Sequence, residues 1–125
     1  MPSGPIKLDV SDAVARVTMA RPEKHNAFDD VLIGELNDVF ARVAADTNIR
    51  VFILQGEGKS FSAGADLGWM QRMAAYSDAE NLADARVLAE MMRLLNELPK
   101  PTIARVQGAA FGGGVGLVAA CDIAI

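Results

Sequence analysis

Two stretches of small residues are the parts of this sequence best suited to hold a reacting group. Residues 62–66 (Ser-Ala-Gly-Ala-Asp) and 108–114 (Gly-Ala-Ala-Phe-Gly-Gly-Gly) each lie where a predicted strand leads into a predicted helix. Glycine lets a ligand approach the backbone closely, and the free N–H groups at a helix start favour negative charge. Side by side, the two junctions could stabilise an oxyanion, with each main-chain donor worth about 10²–10³ in rate. The alternative is that these glycines only permit tight turns and close helix packing.

Two nucleotide-binding motifs can be excluded by position. Gly58-Lys59-Ser60 follows a predicted strand, but a phosphate-binding loop requires a glycine five residues before Gly58, where this chain has Ile53. The glycine cluster also fails the dinucleotide fingerprint, because the residue three after Gly114 is Leu117. A nucleotide-binding module and a nicotinamide cofactor are therefore unsupported.

Three side chains that could carry chemistry each have a simpler interpretation. His25, the only histidine, is expected to line a substrate or face solvent. Asp66 is first a cap at the start of a short helix, where a carboxylate is favourable, and only second a catalytic candidate. Cys121 precedes a strand in an apolar setting, which favours a buried and inert thiol.

Composition narrows the classes of function. The 125 residues carry a formal net charge of −4 and have no basic run, which argues against binding nucleic acid through phosphates. One cysteine and one histidine make a disulfide impossible within the chain and a metal site unexpected. The N-terminus lacks the pattern of a signal peptide, and no stretch has the length of a membrane span. We expect a cytoplasmic, soluble protein.

The hydrophobic pattern predicts an α/β chain. Capping-box spacing at Ser77 and Glu80 marks the start of one helix. The predicted elements are a hairpin of residues 6–10 and 14–19, helices at about 29–45, 66–75, 78–98 and 115–120, and strands at 51–54, 102–106 and 121–125. This order implies buried parallel strands joined by crossover helices in a single domain. An apolar strand at residue 125 without a covering element predicts that a longer protein continues beyond it.

The motifs also resemble a known family when taken in order. Residues 21–27 (Arg-Pro-Glu-Lys-His-Asn-Ala), 61–67 (Phe-Ser-Ala-Gly-Ala-Asp-Leu), 100–104 (Lys-Pro-Thr-Ile-Ala) and 108–114, followed by Cys121-Asp122, are similar to the enoyl-CoA hydratase/isomerase (crotonase) family. The resemblance implies a crotonase-like spiral of ββα units. Residues 1–125 would then form the N-terminal part of a single domain, truncated before its C-terminal helical part. It also implies homotrimers or homohexamers for the full-length protein.

The same resemblance implies a site. An oxyanion hole would be made by the backbone N–H groups of Ala65 and Gly113, acting on an acyl-CoA thioester. No metal, nucleic acid, membrane or separate cofactor is implied, since CoA enters as part of the substrate. The residues implied to contact substrate or CoA are Lys24, His25, Ala63, Ala65, Asp66, Leu67 and Gly113.

One position departs from the family pattern. Many hydratases of the family have a catalytic glutamate two residues after the last glycine of the run, and this chain has Gly116 there. A second glutamate would lie beyond Ile125. General acid–base help is commonly worth about 10²–10⁴ in rate, so the 125-residue chain alone is expected to lack hydratase activity.

The resemblance implies a lyase that adds water to an α,β-unsaturated acyl-CoA. The alternatives are a double-bond isomerase, a thioester hydrolase, or a non-catalytic fragment that binds acyl-CoA. Residues 64–73 look most like bacterial methylglutaconyl-CoA hydratases of leucine breakdown or their isoprenoid-acid relatives; the first would place the protein in branched-chain amino acid degradation.

Overall fold

The computed structural model describes residues 4–125. The first three residues, part of the N-terminal sequence that argued against a signal peptide, lie outside this range. The chain forms seven strands and four α-helices over the described residues, with a 3₁₀ turn at Pro22–Lys24. The elements are β1 (Ile6–Ser11), β2 (Val14–Met19), α1 (Asp30–Ala45), β3 (Val51–Gly56), β4 (Ser60–Ser62), α2 (Leu67–Met73), α3 (Asp78–Asn96), β5 (Thr102–Arg105), β6 (Ala109–Ala110), α4 (Gly113–Ala120) and β7 (Ile123–Ala124).

Five strands form one sheet in the order β1-β2-β3-β5-β7. The β1–β2 pair is the predicted antiparallel hairpin, and every later pair is parallel. Asp12 and Ala13 close the hairpin with φ angles of 51° and 66°, the left-handed pair that a two-residue turn requires. The prediction of parallel strands joined by crossover helices is confirmed.

Local signals start three helices where the sequence predicts them. Asp29 caps α1 by accepting a hydrogen bond from the Leu32 amide, so the helix proper begins one residue later than predicted. Asp66 caps α2 by accepting from the Trp69 amide. Ser77 and Glu80 form the complete capping box of α3. The helix starts were predictable because each depends on residues close together in the chain.

The core lies between the sheet and the layer made by α1, α3 and α4. Phe40 of α1 meets Phe52 of β3 edge to face at 5.6 Å between ring centres. The spacing of apolar residues in the helix at 29–45 predicts that Val31 lies on the buried face together with Leu32, Leu36, Val39, Phe40 and Val43. For Val31 this prediction is wrong, because its side chain is 56% exposed in the first turn of α1. β3 is also less buried than predicted, since Val51 and Ile53 remain partly exposed.

A second, two-stranded sheet was not predicted from the sequence. It pairs β4 with β6 in parallel, and β4 packs against β3 and α4. Its strands have three and two residues, which is too short for alternation of apolar side chains to be recognised. This small sheet matters because each of its strands leads into one of the two glycine junctions.

Candidate active site

The two glycine junctions lie side by side because β4 and β6 pair. Ser60 is opposite Ala109 and Ser62 is opposite Ala110 in the parallel register. Beyond the last pair, the Phe111 amide donates to the Ser62 carbonyl at 2.9 Å. The two chain segments therefore leave the small sheet together, one toward α2 and the other toward α4.

Two glycines in the junctions are required by close backbone approach. Gly64 has a φ of +86°, and a Cβ there would lie 2.8 Å from the Phe111 carbonyl oxygen. A Cβ on Gly114 would lie 2.5 Å from the Ser62 carbonyl oxygen. Real Cβ atoms almost never approach backbone this closely, so these glycines do permit tight turns and close packing, as the simpler interpretation held. That packing places Gly64 close to the Gly113 amide nitrogen, which is 3.1 Å from the position of a Cβ on Gly64.

The N–H of Ala65 is directed away from Phe28, the residue that its own segment pairs with. Phe28 bridges Ala65, with the Phe28 amide donating to Gly64 O and the Asp66 amide donating to Phe28 O, both at 2.8 Å. In a parallel bridge the residue between the two bonded groups directs its own N–H to the other side. Within residues 4–125 the Ala65 N–H has no hydrogen-bond acceptor.

Gly113 supplies the second amide. It is the first residue of α4, where helix geometry leaves the N–H without an intrahelical acceptor. No acceptor from elsewhere in the described range, 4–125, takes its place. Gly113 is also constrained by packing, since a Cβ on it would lie 2.4 Å from Phe28 Cζ. The site thus offers two main-chain donors from different segments, and both residues are only partly buried.

An open cleft of about 520 Å³ lies beside Ala65. It brings together the residues that the resemblance assigned to substrate and CoA, except Gly113, which is not among its lining residues. The residues lining the cleft are Arg21, Glu23, Lys24, His25, Ala27, Ala63, Ala65, Asp66, Leu67 and Gly68. The predicted contact residues therefore share one surface, although they come from two distant parts of the sequence.

His25 is exposed in this cleft and has a left-handed φ of 52°. Its Nδ1 lies 3.0 Å from Ser60 Oγ, and its carbonyl accepts from the Ala63 amide at 2.9 Å. These contacts tie the cleft wall at His25 to the strand that leads into the first junction.

Asn26 is the residue that the sequence interpretation undervalued. Its side chain is fully buried, accepts from the Arg21 amide, and donates to the carbonyls of Glu57 and Ser60. With a φ of 54° it turns the chain sharply between Arg21 and Phe28, a conformation that asparagine tolerates better than most residues. Asparagine four residues after a proline was the only signal in the sequence for this role.

Gly116 faces helix α3. A Cβ on Gly116 would lie 3.0 Å from Met92 Cε and 3.5 Å from its sulfur. The position that carries an acid in many hydratases is therefore adjacent to a thioether here.

Cys121 has the inert surroundings expected of it. Burial raises the pKa of this thiol to about 11, although a hydrogen bond with Thr102 acts in the opposite direction. At neutral pH it is fully protonated and a poor nucleophile.

Two further features are absent from the described residues. No group of three or more His, Cys, Asp or Glu side chains in residues 4–125 is placed to hold a metal ion. None of the helices in this range combines the length and the apolar character needed to cross a membrane.

Comparison with known proteins identifies the class. The profile of the enoyl-CoA hydratase/isomerase family matches residues 9–125. The chain belongs to this family, and its fold is the crotonase fold.

Individual relatives agree with that assignment. A Legionella pneumophila structure assigned as an enoyl-CoA hydratase/isomerase (crotonase) is 53% identical, with a TM-score of 0.92 over 97% of this chain and 47% of its own. An enoyl-CoA hydratase from Shewanella pealeana is 44% identical, with a TM-score of 0.94 over 97% of this chain and 46% of its own. The mitochondrial Δ(3,5)-Δ(2,4)-dienoyl-CoA isomerase of Dictyostelium discoideum is 34% identical over 94% of this chain and 44% of its own. The chain spans a little under half the length of the relatives it matches.

Proposed function

We propose that this protein binds an acyl-CoA thioester and polarises its carbonyl with the N–H groups of Ala65 and Gly113. When water adds to the β-carbon, the electron pair of the α,β double bond shifts toward the carbonyl and that of the C=O bond moves onto the thioester oxygen, which gives an enolate that takes a proton at the α-carbon. Two fixed main-chain dipoles at that oxygen lower the energy of the enolate without needing to reorient. The reaction proposed is addition of water across an α,β-unsaturated acyl-CoA.

One observation carries this proposal. Two unpartnered amides come from separate segments that a small parallel sheet holds together, and the Cβ position of Gly64 is only 3.1 Å from the Gly113 nitrogen. A single free amide at a helix start is ordinary. Two in neighbouring junctions, one of them beside an open cleft, are suited to a single oxygen atom that becomes an anion.

The cleft beside Ala65 is the proposed place for CoA. Its lining includes Lys24, His25, Ala63, Asp66 and Leu67. Lys24 supplies positive charge for a phosphate, while backbone groups near Ala63 are suited to the adenine. We further propose that the full-length protein is a cytoplasmic homotrimer or homohexamer, and that its substrate comes from branched-chain amino acid breakdown.

An isomerase is the second candidate, and Gly116 favours considering it. Hydration needs an acid or base to move the proton of water, and the position that carries a glutamate in many hydratases is a glycine facing Met92 here. Double-bond isomerisation uses the same enolate but differs in its proton-transfer residues. The Dictyostelium relative named as a dienoyl-CoA isomerase is consistent with this alternative. Product analysis after incubation with a 2-enoyl-CoA and a 3-enoyl-CoA separates the two reactions.

Replacing Gly113 tests the proposed role of its amide. Gly113→Pro removes the N–H, but it also adds a Cβ where Phe28 Cζ would be 2.4 Å away. Gly113→Ala adds the same Cβ and keeps the N–H, so it is the matched control. In the full-length protein, Gly113→Pro should turn over crotonyl-CoA about 10²–10³ times more slowly than Gly113→Ala.

Two outcomes count against the proposal. Equal rates in the two folded variants would remove Gly113 from the oxyanion hole. Tight acyl-CoA binding with no turnover by the unsubstituted protein would instead support a non-catalytic binding role, which calorimetry would detect.

A further inference from the structure

Arg21 lines the cleft, and it also contacts Ala27, Asp29 and Asp66 around the first junction. Its Nη1 donates to the Ala27 carbonyl at 3.0 Å and lies 3.2 Å from Asp29 Oδ2. Its Nη2 lies 3.9 Å from Asp66 Oδ1. The three charged side chains are only 17–19% exposed, so solvent screens their attraction less than that of surface pairs.

Both carboxylates also cap helices with their other oxygen. Asp29 Oδ1 accepts from the Leu32 amide at the start of α1, and Asp66 Oδ2 accepts from the Trp69 amide at the start of α2. One guanidinium therefore bridges the first turns of two helices. Arginine suits this geometry because its planar fork presents several donors in fixed directions.

The residues that contact Arg21 are sequence neighbours of Phe28 and Ala65. The bridge between Phe28 and Ala65 is what orients the Ala65 amide. The peptide between Gly64 and Ala65 is fixed by the Phe28 amide, which donates to its carbonyl oxygen. Phe28 in turn lies between Ala27 and Asp29, and both of these contact Arg21. Asp66, on the other side of Ala65, is the third contact. Arg21 therefore contacts the residues on both sides of Phe28 and the residue that follows Ala65.

We propose that Arg21 is a positioning residue that aims the Ala65 N–H at the thioester oxygen. This inference rests on the proposed function, since it assigns the amide an oxygen to meet. It contrasts with a direct contact between Arg21 and a CoA phosphate, which its place on the cleft wall would also allow. A positioning role lowers kcat, because a donor misplaced by about 1 Å loses its effect on the transition state. A phosphate contact instead raises KM.

Two substitutions separate these roles. Arg21→Gln removes the charge and the fork, whereas Asp66→Asn removes one ion pair but keeps an oxygen able to cap α2. We expect each to lower kcat for crotonyl-CoA about tenfold with little change in KM in the full-length protein. The kcat of the double variant should be no lower than that of the slower single variant, because both substitutions break the same Arg21–Asp66 linkage. Arg72→Gln, which breaks the exposed Arg72–Asp30 pair between the same two helices, is the matched control and should keep the unsubstituted rate.

A spectroscopic measurement gives a readout that loss of stability alone would not move. The infrared stretching frequency of a ¹³C-labelled thioester carbonyl falls when donors polarise it. In the folded Arg21→Gln and Asp66→Asn proteins, the bound frequency should shift back toward its value in water, while Arg72→Gln should leave it unchanged.

The outcomes distinguish this inference from the function on which it rests. An unsubstituted protein that turns over no 2-enoyl- or 3-enoyl-CoA overturns both. A rise in KM alone for Arg21→Gln, with Asp66→Asn behaving like the control, overturns only the positioning role and makes Arg21 a ligand contact. If Arg21→Gln fails to fold, an unshifted carbonyl frequency and unchanged kcat in Asp66→Asn overturn the role by themselves.

Discussion

A Cβ on Gly64 would lie 3.1 Å from the amide nitrogen of Gly113, a residue 49 positions later in the chain. The two residues belong to junctions that leave β4 and β6, and the contact exists because those short strands pair. The glycine at position 64 thus sets how closely the Gly113 and Ala65 amides can approach each other. Its lack of a side chain is a condition for the proposed site as well as for the turn.

Gly64→Ala should therefore damage both stability and activity. The new Cβ would lie 2.8 Å from the Phe111 carbonyl oxygen, and the φ of +86° strains any residue with a side chain. We expect a loss of about 2 kcal/mol in the free energy of unfolding. Urea denaturation measures this loss, and turnover of crotonyl-CoA should fall in the protein that remains folded.

The control for that substitution is Gly34→Ala in the middle of α1. A Cβ at Gly34 meets nothing within 4 Å, and alanine is the better helix former. This variant should gain about 0.5–1 kcal/mol and keep its activity. A similar loss in both variants would contradict the importance of the contact between the junctions.

Asn26→Ala should destabilise the turn between Arg21 and Phe28. The substitution removes three hydrogen bonds and leaves the Arg21 amide and the Glu57 carbonyl without their partner. An unsatisfied buried group costs about 1–3 kcal/mol, so we expect a loss of at least about 2 kcal/mol in urea denaturation. Asn48→Ala is an exposed control that should change stability by less than about 0.5 kcal/mol. Equal effects of the two substitutions would argue against a structural role for Asn26.

The thiol of Cys121 should react with alkylating agents only at high pH. Its pKa is raised to about 11 by burial, so the native protein should be alkylated with a rate that climbs toward that pH. In urea, which unfolds the protein, the alkylation rate should climb near pH 9.0, the ordinary pKa of the thiol. Because the folded-state pKa lies above the unfolded one, the contribution of this thiol to stability is complete below pH 9 and is lost as the pH rises toward 11. Rapid alkylation of the native protein at pH 8 would show that the thiol is not buried as described.

Much of the main sheet and the helices was predictable from local patterns. The capping box at Ser77 and Glu80 involves residues three apart, and the apolar spacing of α1 repeats within a single helix. The error at Val31 arose because apolar type alone does not give the edge of the buried face: Leu32 and Ile33 in the same turn are buried, whereas Val31 is exposed. β4 and β6 were missed because their pairing joins segments about fifty residues apart, and neither strand is long enough to show a pattern.

The sequence by itself determined the family and the residue types at the site. Short continuous motifs contain all of the following site residues: the glycines at 64, 113 and 114, the capping aspartates, and Asn26. It also showed that the acid expected at position 116 is absent.

Only the tertiary structure decided which groups come together. A hydrogen bond to Phe28 turns the Ala65 amide outward, and the pairing of β4 with β6 places it beside Gly113. The tertiary structure also places Asp29 and Asp66 beside Arg21, a pairing that the sequence does not show. The physical reason is that main-chain donors have the same chemistry at every residue. Their direction and their lack of partners depend on contacts between distant segments, which no local pattern contains.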